Sequence, residues 1–187
     1  LMLCGFAPLF MFGFLFTAGP RWLGVAPPPP SVWRLPGAIA ALAAIALVPL
    51  EVAGPVSGPG ALRAAAGVYA IAWLWLAYRF FRLIRASDAE DRLHATLVLL
   101  ALVVGASAVA WFALFGPAAH AYVKGAGLWG FLLPMFVTVC HRMIPFFTAS
   151  VVPFVTAFRS GWLLAAMIGA PVTHGVAVRM ALLYLLA

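Results

Sequence analysis

The sequence predicts an all-α protein, a polytopic bundle of transmembrane helices with about six spans that forms part of a larger bundle. Of its 187 residues, 66% are hydrophobic and only 8% are charged, whereas a soluble domain carries about 25% charged residues. The apolar runs are continuous rather than alternating, which favours helices over a transmembrane barrel. A bilayer core takes about 20 helical residues per crossing, so this length accommodates roughly five to seven spans.

We predict a single transmembrane helical region over residues 1–187, with one span for each long apolar run. The spans cover residues 1–18, 36–54, 61–84, 93–116, 122–148 and 161–187. The chain starts without a methionine and stops within an apolar run, so we expect it to be a fragment of a longer protein.

The connection between the first two spans is predicted to be extended. It contains four consecutive prolines, Pro27 to Pro30, which favour a polyproline segment and exclude a helix. Trp22 and Trp33 flank the prolines, where tryptophans are expected to anchor the chain at the membrane interface.

The basic residues predict how the chain is oriented in a bacterial inner membrane. Most fall on one predicted side, against Arg63 and Lys124 on the other. The larger group consists of Arg21, Arg34, Arg79, Arg82, Arg85, Arg92 and Arg159. The positive-inside rule therefore places the Pro-rich loop 19–35 and loop 85–92 in the cytoplasm. Because topology explains the net charge of +7, no nucleic-acid partner is predicted.

The third and fourth spans have structural interpretations. Five aromatic residues lie beside three arginines and are predicted to form an interfacial belt with snorkelling arginines. These residues are Trp73, Trp75, Tyr78, Phe80 and Phe81, with Arg79, Arg82 and Arg85. A site for an anionic lipid or a haem propionate is the alternative there. The small residues 105–108 predict a helix-packing surface.

The fifth span contains the polar cluster Cys140, His141 and Arg142. A charged group at membrane depth costs about 2.5–3.5 kcal/mol on insertion scales, so such residues usually have a function. Pro134 and Pro145 each free a backbone carbonyl, and both lie within about 60° of His141 around the helix. That face suits the wall of a cavity or cofactor pocket. The alternative is a kinked packing helix whose histidine bonds to a neighbouring carbonyl.

His174 lies in the sixth span, which should form an antiparallel hairpin with the fifth. If the fifth helix continues to about residue 153, His141 and His174 reach similar depth and could ligate a haem iron or a copper ion. In the other register the fifth helix ends at Arg142, and the segment 144–153 is re-entrant or lies on the surface. The sequence leaves both registers open.

The remaining polar residues receive simpler interpretations. Arg142 would pair with a haem propionate or snorkel to a lipid phosphate. Glu51, the sole acid within an apolar run, would pair with Arg179 at similar depth. His94 and His120 are at span ends and are interpreted as interfacial. The sequence contains no motif that predicts a hydrolase.

Two passages resemble the NnrS family of membrane proteins. They are LMLCGFAPLFMFGFLFTAGPRWLG at residues 1–24 and HRMIPFFT at residues 141–148. Family members are described as containing haem and copper and are linked to nitric oxide metabolism and nitrosative stress. The resemblance implies that His141 lies within a family motif, and that the chain covers about half of a family member.

These observations lead to two hypotheses for the function. In the first, the chain is an NnrS-like protein that binds haem, and also copper, and helps cells tolerate or process nitric oxide. Its candidate cofactor residues are His141, Arg142 and His174, and nitric oxide is the small-molecule ligand. In the second, the chain is a cofactor-free accessory or structural subunit of a larger membrane complex. Neither hypothesis assigns a catalysed reaction.

Overall fold

The computed structural model describes residues 5–53, 58–89, 92–152, 154 and 160–185, and these residues are helical apart from their connections. The elements are α1 (Ala7–Trp22), α2 (Ser31–Ala53), α3 (Gly58–Arg85), α4 (Arg92–Phe115), a 3₁₀ turn (Gly116–Ala119), α5 (His120–Gly125), a π-helical segment (Ala126–Leu132), α6 (Leu133–Val151) and α7 (Gly161–Leu185). The predicted all-α class is therefore confirmed for the described residues.

A helix occupies each predicted span, but the predicted number of six crossings is not confirmed. Four described stretches are long and apolar enough to cross a membrane, namely Ser31–Leu50, Gly60–Arg85, Arg92–Thr148 and Gly161–Ala181. By length and composition, these helices are those of a membrane protein.

The stretch Arg92–Thr148 folds back on itself at Gly116. A straight helix of its 57 residues would be about 85 Å long, far longer than a bilayer is thick. Gly116 has φ of +62°, a conformation that glycine adopts without steric cost. The 3₁₀ turn then leads into α5, so that α4 packs antiparallel to the π-helical segment and α6.

An arginine from α3 closes the end of α4 beside this turn. The Arg63 Nε–H donates to the carbonyl of Ala113 at 2.9 Å, and its second guanidinium nitrogen donates to the carbonyl of Leu114. A cation is favourable at a helix C-terminus because the last carbonyls carry partial negative charge. We call this end of the bundle, which holds Arg63 and Gly116, the far end.

The opposite end of the bundle is fixed by Ser87, which follows α3. Its hydroxyl is buried and donates to the carbonyl of Leu23, just after α1, at 2.6 Å. The C-termini of α1 and α3 and the N-terminus of α4 therefore lie together. We call this the basic end, because Arg21, Arg85 and Arg92 belong to it. This agrees with the predicted grouping of the basic residues, although Arg159 lies outside the described residues.

The predicted aromatic belt on α3 is only partly correct. Trp73 and Phe80 are 1% and 0% exposed, whereas Trp75, Tyr78 and Phe81 are 38–49% exposed. The helical period places residues 73 and 80 on the face that packs on α1, α4 and the π-helical segment. Trp73 is a core residue there, in edge contact with the rings of neighbouring aromatic residues, Phe12, Tyr69 and Phe131.

Small residues on α4 allow the close packing that the sequence predicted. Gly105, Ala106 and Ala108 are buried. A Cβ added at Gly105 would lie 2.6 Å from Trp73 Cζ2 and 2.9 Å from Phe131 Cγ. This surface positions α4, and hence the residues at its N-terminus, against α3 and α6.

The outermost helices are α2 and α7. In the candidate span on α7 only 6% of the residues are buried, against 44% in α3. Arg179 is exposed on α7, and the side chain of its predicted partner Glu51 lies outside the described residues. The Pro-rich connection is not helical, as predicted, because α2 begins at Ser31, directly after the four prolines.

Candidate histidine-pair site

Pro134 was predicted to interrupt the hydrogen bonding of the helix before His141. The structure has a π-helical segment, Ala126–Leu132, at this position. The Leu133 N–H donates to the carbonyl of Leu128, five residues earlier, and π-bulges of this kind are often found at functional sites. The Thr138 hydroxyl donates to the carbonyl of Pro134 at 2.7 Å. Pro134, Thr138 and His141 are all buried, so one face of α6 turns these groups into the bundle.

The structure pairs His141 with His94. Nε2 of His94 lies 3.2 Å from Nδ1 of His141, and the two rings are stacked with centroids 5.4 Å apart at an angle of 24°. His94 is in the first turn of α4, and His141 is only 8% exposed. We refer to these two side chains as the histidine pair, which lies inside the protein at the basic end.

A backbone carbonyl fixes the proton positions in the histidine pair. Nε2 of His141 lies 3.2 Å from the carbonyl oxygen of Ser160, and a carbonyl can only accept a hydrogen bond. Nε2 of His141 therefore carries a proton in this contact. In the tautomer of the neutral ring that this requires, Nδ1 keeps its lone pair and accepts from His94 Nε2–H. In that tautomer the hydrogen bonds run from His94 through His141 to Ser160.

The geometry of the histidine pair is compatible with two ligands of one metal ion. With metal–nitrogen bonds of about 2.0–2.1 Å, two adjacent ligands of a tetrahedral ion have nitrogens about 3.3 Å apart, close to the 3.2 Å observed. Two axial ligands of a haem iron would instead be about 4 Å apart on opposite faces of the porphyrin. Rings stacked at 5.4 Å leave no space for a porphyrin between them.

The other coordinating groups near the pair are few. Among the described residues, no group of three or more His, Cys, Asp or Glu side chains could hold a metal ion. The half-buried Cys140 is a free thiol. The hydroxyl of Ser160 is buried and has no hydrogen-bond partner within the described part of the chain.

The structure does not bring His141 and His174 together. His174 is exposed and packs on Trp129, with ring centroids 4.6 Å apart. Trp129 precedes His141 by 12 residues, which is about 18 Å along a helix. The symmetric hairpin that would place both imidazoles at one depth is therefore wrong, and the partner of His141 is His94.

The physical reason lies in where α7 starts. As the first register required, α6 continues to Val151 rather than ending at Arg142. However, Ser160 lies beside His141, so α7 starts about 15 Å back along α6 from its end. This offset brings Gly175 against Trp129, where an added Cβ would lie 2.5 Å from Trp129 Cβ. The last turns of α6 extend beyond the basic end with exposed Phe146 and Phe147.

The remaining predicted polar residues lie apart from the pair. Arg142 is half-buried, and its guanidinium carbon is 4.9 Å from the centroid of the Trp22 ring. His120 is at the far end and packs on Phe112. The predicted partner of Arg142, a haem propionate or a lipid phosphate, stays a prediction.

The sequence analysis did not predict His94 as the partner of His141, because each histidine was interpreted separately. The residue numbers at which the helices start and end indicate the pairing. Helix α4 starts at the basic end with residue 92, whereas the fifth helix starts at the far end with residue 120. After about 20 residues the latter has crossed the bilayer core, which brings residues near 140 to the depth of His94.

Comparisons with known proteins identify one family. A family model described as NnrS protein matches residues 1–187 of the chain. No curated protein matches the chain significantly. No solved structure matches it significantly.

Proposed function

The chain belongs to the NnrS family, and on that premise we propose that it is a multi-pass protein of the bacterial inner membrane that binds a metal cofactor and takes part in the nitric oxide response. The cofactor is copper at the histidine pair, with haem as a further cofactor expected from the family resemblance. Loops 19–35 and 85–92 face the cytoplasm in this proposal, because the basic end carries most of the arginines.

The observation that supports the proposal is the hydrogen bond from His141 to Ser160. Histidines that bind metals nearly always donate their other ring N–H to a carbonyl or carboxylate, which orients the ring and fixes its tautomer. His141 makes this contact through Nε2 and thereby presents Nδ1 to His94.

The residues present fit a copper ion better than a haem. Imidazole nitrogens suit copper, and the 3.2 Å between the two ring nitrogens matches two ligands of one ion. When bound, a copper ion supplies a site at which nitric oxide can coordinate. The protein's own contribution is to hold the two imidazoles at this separation and to bury His141 away from water.

A haem would require a different arrangement of these side chains. His141 could serve as its single histidine ligand only by giving up its contact with His94 or with Ser160. His174 is too far along the bundle to act as the second ligand. We therefore assign the histidine pair to copper and leave the haem without assigned ligands.

The experiment measures metal content and absorption of the full-length protein purified in detergent. Wild type, His94→Ala, His141→Ala and His174→Ala are loaded anaerobically with cuprous ion, desalted, and analysed by elemental mass spectrometry and by their Soret absorption. We expect about one copper per wild-type chain and less than one tenth of that in His94→Ala and His141→Ala. His174→Ala is the matched control and should retain the copper of the wild type.

Each result has a defined meaning. If His94→Ala binds copper like the wild type, the histidine pair is not the copper site. If His174→Ala loses copper, His174 is a copper ligand, as the sequence predicts. If the wild type has neither a Soret band nor stoichiometric metal, the cofactor hypothesis is refuted and the accessory-subunit hypothesis takes its place.

A further inference from the structure

A second candidate site lies between α1 and α6, next to the histidine pair but separate from it. It is a cavity of about 460 Å³. Its lining residues are Phe14, Thr17, Ala18, Arg21, Trp22, Arg142, Met143 and Phe146. We call it the arginine cavity, because two arginines from different helices line it.

The charge of the arginine cavity is positive. Arg21 comes from the last turn of α1, and Arg142 follows His141 on α6. The lining residues that the structure describes include no carboxylate. Two guanidiniums at one site within an apolar protein favour an anion that accepts hydrogen bonds from both, and phosphate oxygens match the fork of an arginine.

An aromatic ring orients one of these arginines. The guanidinium of Arg142 lies over Trp22 at 4.9 Å, and Trp22 is buried and held in edge contact by Phe14 at 5.2 Å. Stacking on a ring restrains the guanidinium plane and leaves its donors to act around the edge. The position of Arg142 is thus set by packing on α1.

The rest of the lining is apolar. Phe14, Ala18, Met143 and Phe146 form walls beside the two arginines, and Phe146 is 51% exposed, so its wall continues out of the cavity. A small inorganic anion would not use these walls. An anion with an attached hydrocarbon chain would bury them.

The location favours a lipid as the source of that anion. The cavity lies at the basic end, where the N-terminus of α4 and the C-termini of α1 and α3 meet. Lipid phosphates and clustered arginines are found at the same depth, at the membrane surface. We propose that the arginine cavity binds an anionic glycerophospholipid, with its phosphate between Arg21 and Arg142 and an acyl chain along Phe14, Met143 and Phe146.

The test is native mass spectrometry of the delipidated full-length protein titrated with phosphatidylglycerol and, separately, with phosphatidylcholine. We expect the wild type to bind phosphatidylglycerol at least about tenfold more tightly. The double variant Arg21→Gln/Arg142→Gln should reduce this preference to less than about twofold. Arg34→Gln, which changes an exposed arginine outside the cavity, is the matched control and should keep the preference of the wild type.

A second variant tests the cavity without removing charge. Ala18→Leu fills the cavity and leaves both arginines in place, so it should also weaken phosphatidylglycerol binding about tenfold. If the double variant does not fold, as judged by circular dichroism, Ala18→Leu decides the outcome. The proposal is overturned if the lipid preference survives in Ala18→Leu, or in a folded double variant.

Two further experiments distinguish the lipid from other anions. Displacement of the lipid by millimolar inorganic phosphate would show a site for a small anion and overturn the lipid assignment. Among the described lining residues, Met143 is the one side chain able to ligate a haem iron. If haem binding is lost in Met143→Leu and in the arginine variants, and haem excludes the lipid from the wild type, the cavity is a haem site instead. Copper binding at the histidine pair is independent of both results.

Discussion

Replacement of Gly105 by alanine tests the packing that holds α4, and with it His94, in place. The added Cβ would lie 2.6 Å from Trp73 Cζ2 and 2.9 Å from Phe131 Cγ. Both rings are only 1% exposed and pack edge to face with centroids 5.0 Å apart. Neither ring can move without displacing other buried groups, so α4 itself must shift.

The expected loss of stability follows from two opposing terms. Forcing an extra methyl group into a well-packed core costs about 1–3 kcal/mol, and contact with two immobile rings places this site in the upper part of that range. Exchange of glycine for alanine in a helix returns up to about 1 kcal/mol. We therefore expect Gly105→Ala to lower the free energy of unfolding by about 1–2 kcal/mol.

The assay is reversible unfolding in mixed micelles with increasing SDS mole fraction, followed by far-ultraviolet circular dichroism. Gly37→Ala on α2 is the matched control, because nothing lies within 4 Å of its added Cβ, and it should be neutral or stabilising. The double variant Gly105→Ala/Trp73→Phe adds a coupling test. Phenylalanine lacks the two indole atoms nearest Gly105, so the double variant should recover at least about 1 kcal/mol relative to additivity.

The reasoning is refuted if Gly105→Ala unfolds at the same SDS fraction as Gly37→Ala. It is equally refuted if the substitutions at Gly105 and Trp73 are additive, because their effects would then not arise from one contact. A parallel measurement of copper binding should show weaker retention in Gly105→Ala, since a shift of α4 moves His94 relative to His141.

Two more contacts give predictions of the same kind. Gly175→Ala should lower the free energy of unfolding by about 1–3 kcal/mol in the same SDS titration, because the added Cβ would lie 2.5 Å from Trp129 Cβ. Ser87→Ala should cost about 1–3 kcal/mol by the same assay, because the carbonyl of Leu23 loses its buried hydroxyl donor.

Each of these predictions has a control on the same type of residue. Nothing lies within 4 Å of a Cβ added at Gly169, so Gly169→Ala on α7 should be neutral or stabilising. Ser107 is exposed and bonds only within its own helix, so Ser107→Ala should change stability by less than about 0.5 kcal/mol. If a substitution and its control change the free energy of unfolding by the same amount, the proposed contact is contradicted.

Much of the fold followed from the sequence because membrane burial imposes strong local rules. Continuous apolar runs of about 20 residues can only be helices in lipid, and the run from Pro27 to Pro30 marked a connection that could not be helical. Gly105 and its small neighbours were predicted to be a packing surface, and Gly105 indeed lies against two rings. The number of crossings did not follow in the same way, because Arg92–Thr148 is one apolar stretch with a turn inside it.

The candidate site was predictable only in part. His141 stood out because an imidazole in an apolar run is costly and lies in the motif HRMIPFFT. The sequence left open whether it is buried or interfacial, and the structure shows that it is buried. His174 was predicted as its partner from the assumption of a symmetric hairpin. That assumption failed because α7 starts beside His141 rather than beside the end of α6.

By itself, the sequence determined the helical class, the positions of the helices, the grouping of arginines at one end and the importance of His141. These properties depend on local composition and on the membrane, both of which act on each segment separately. Only the tertiary structure decided that His94 is the partner of His141, that Trp73 is in the core, and that Arg21 and Arg142 line one cavity. His94 and His141 are 47 positions apart in the chain, and Arg21 and Arg142 are farther apart still. Such contacts depend on the rotation and offset of packed helices, which no single segment encodes.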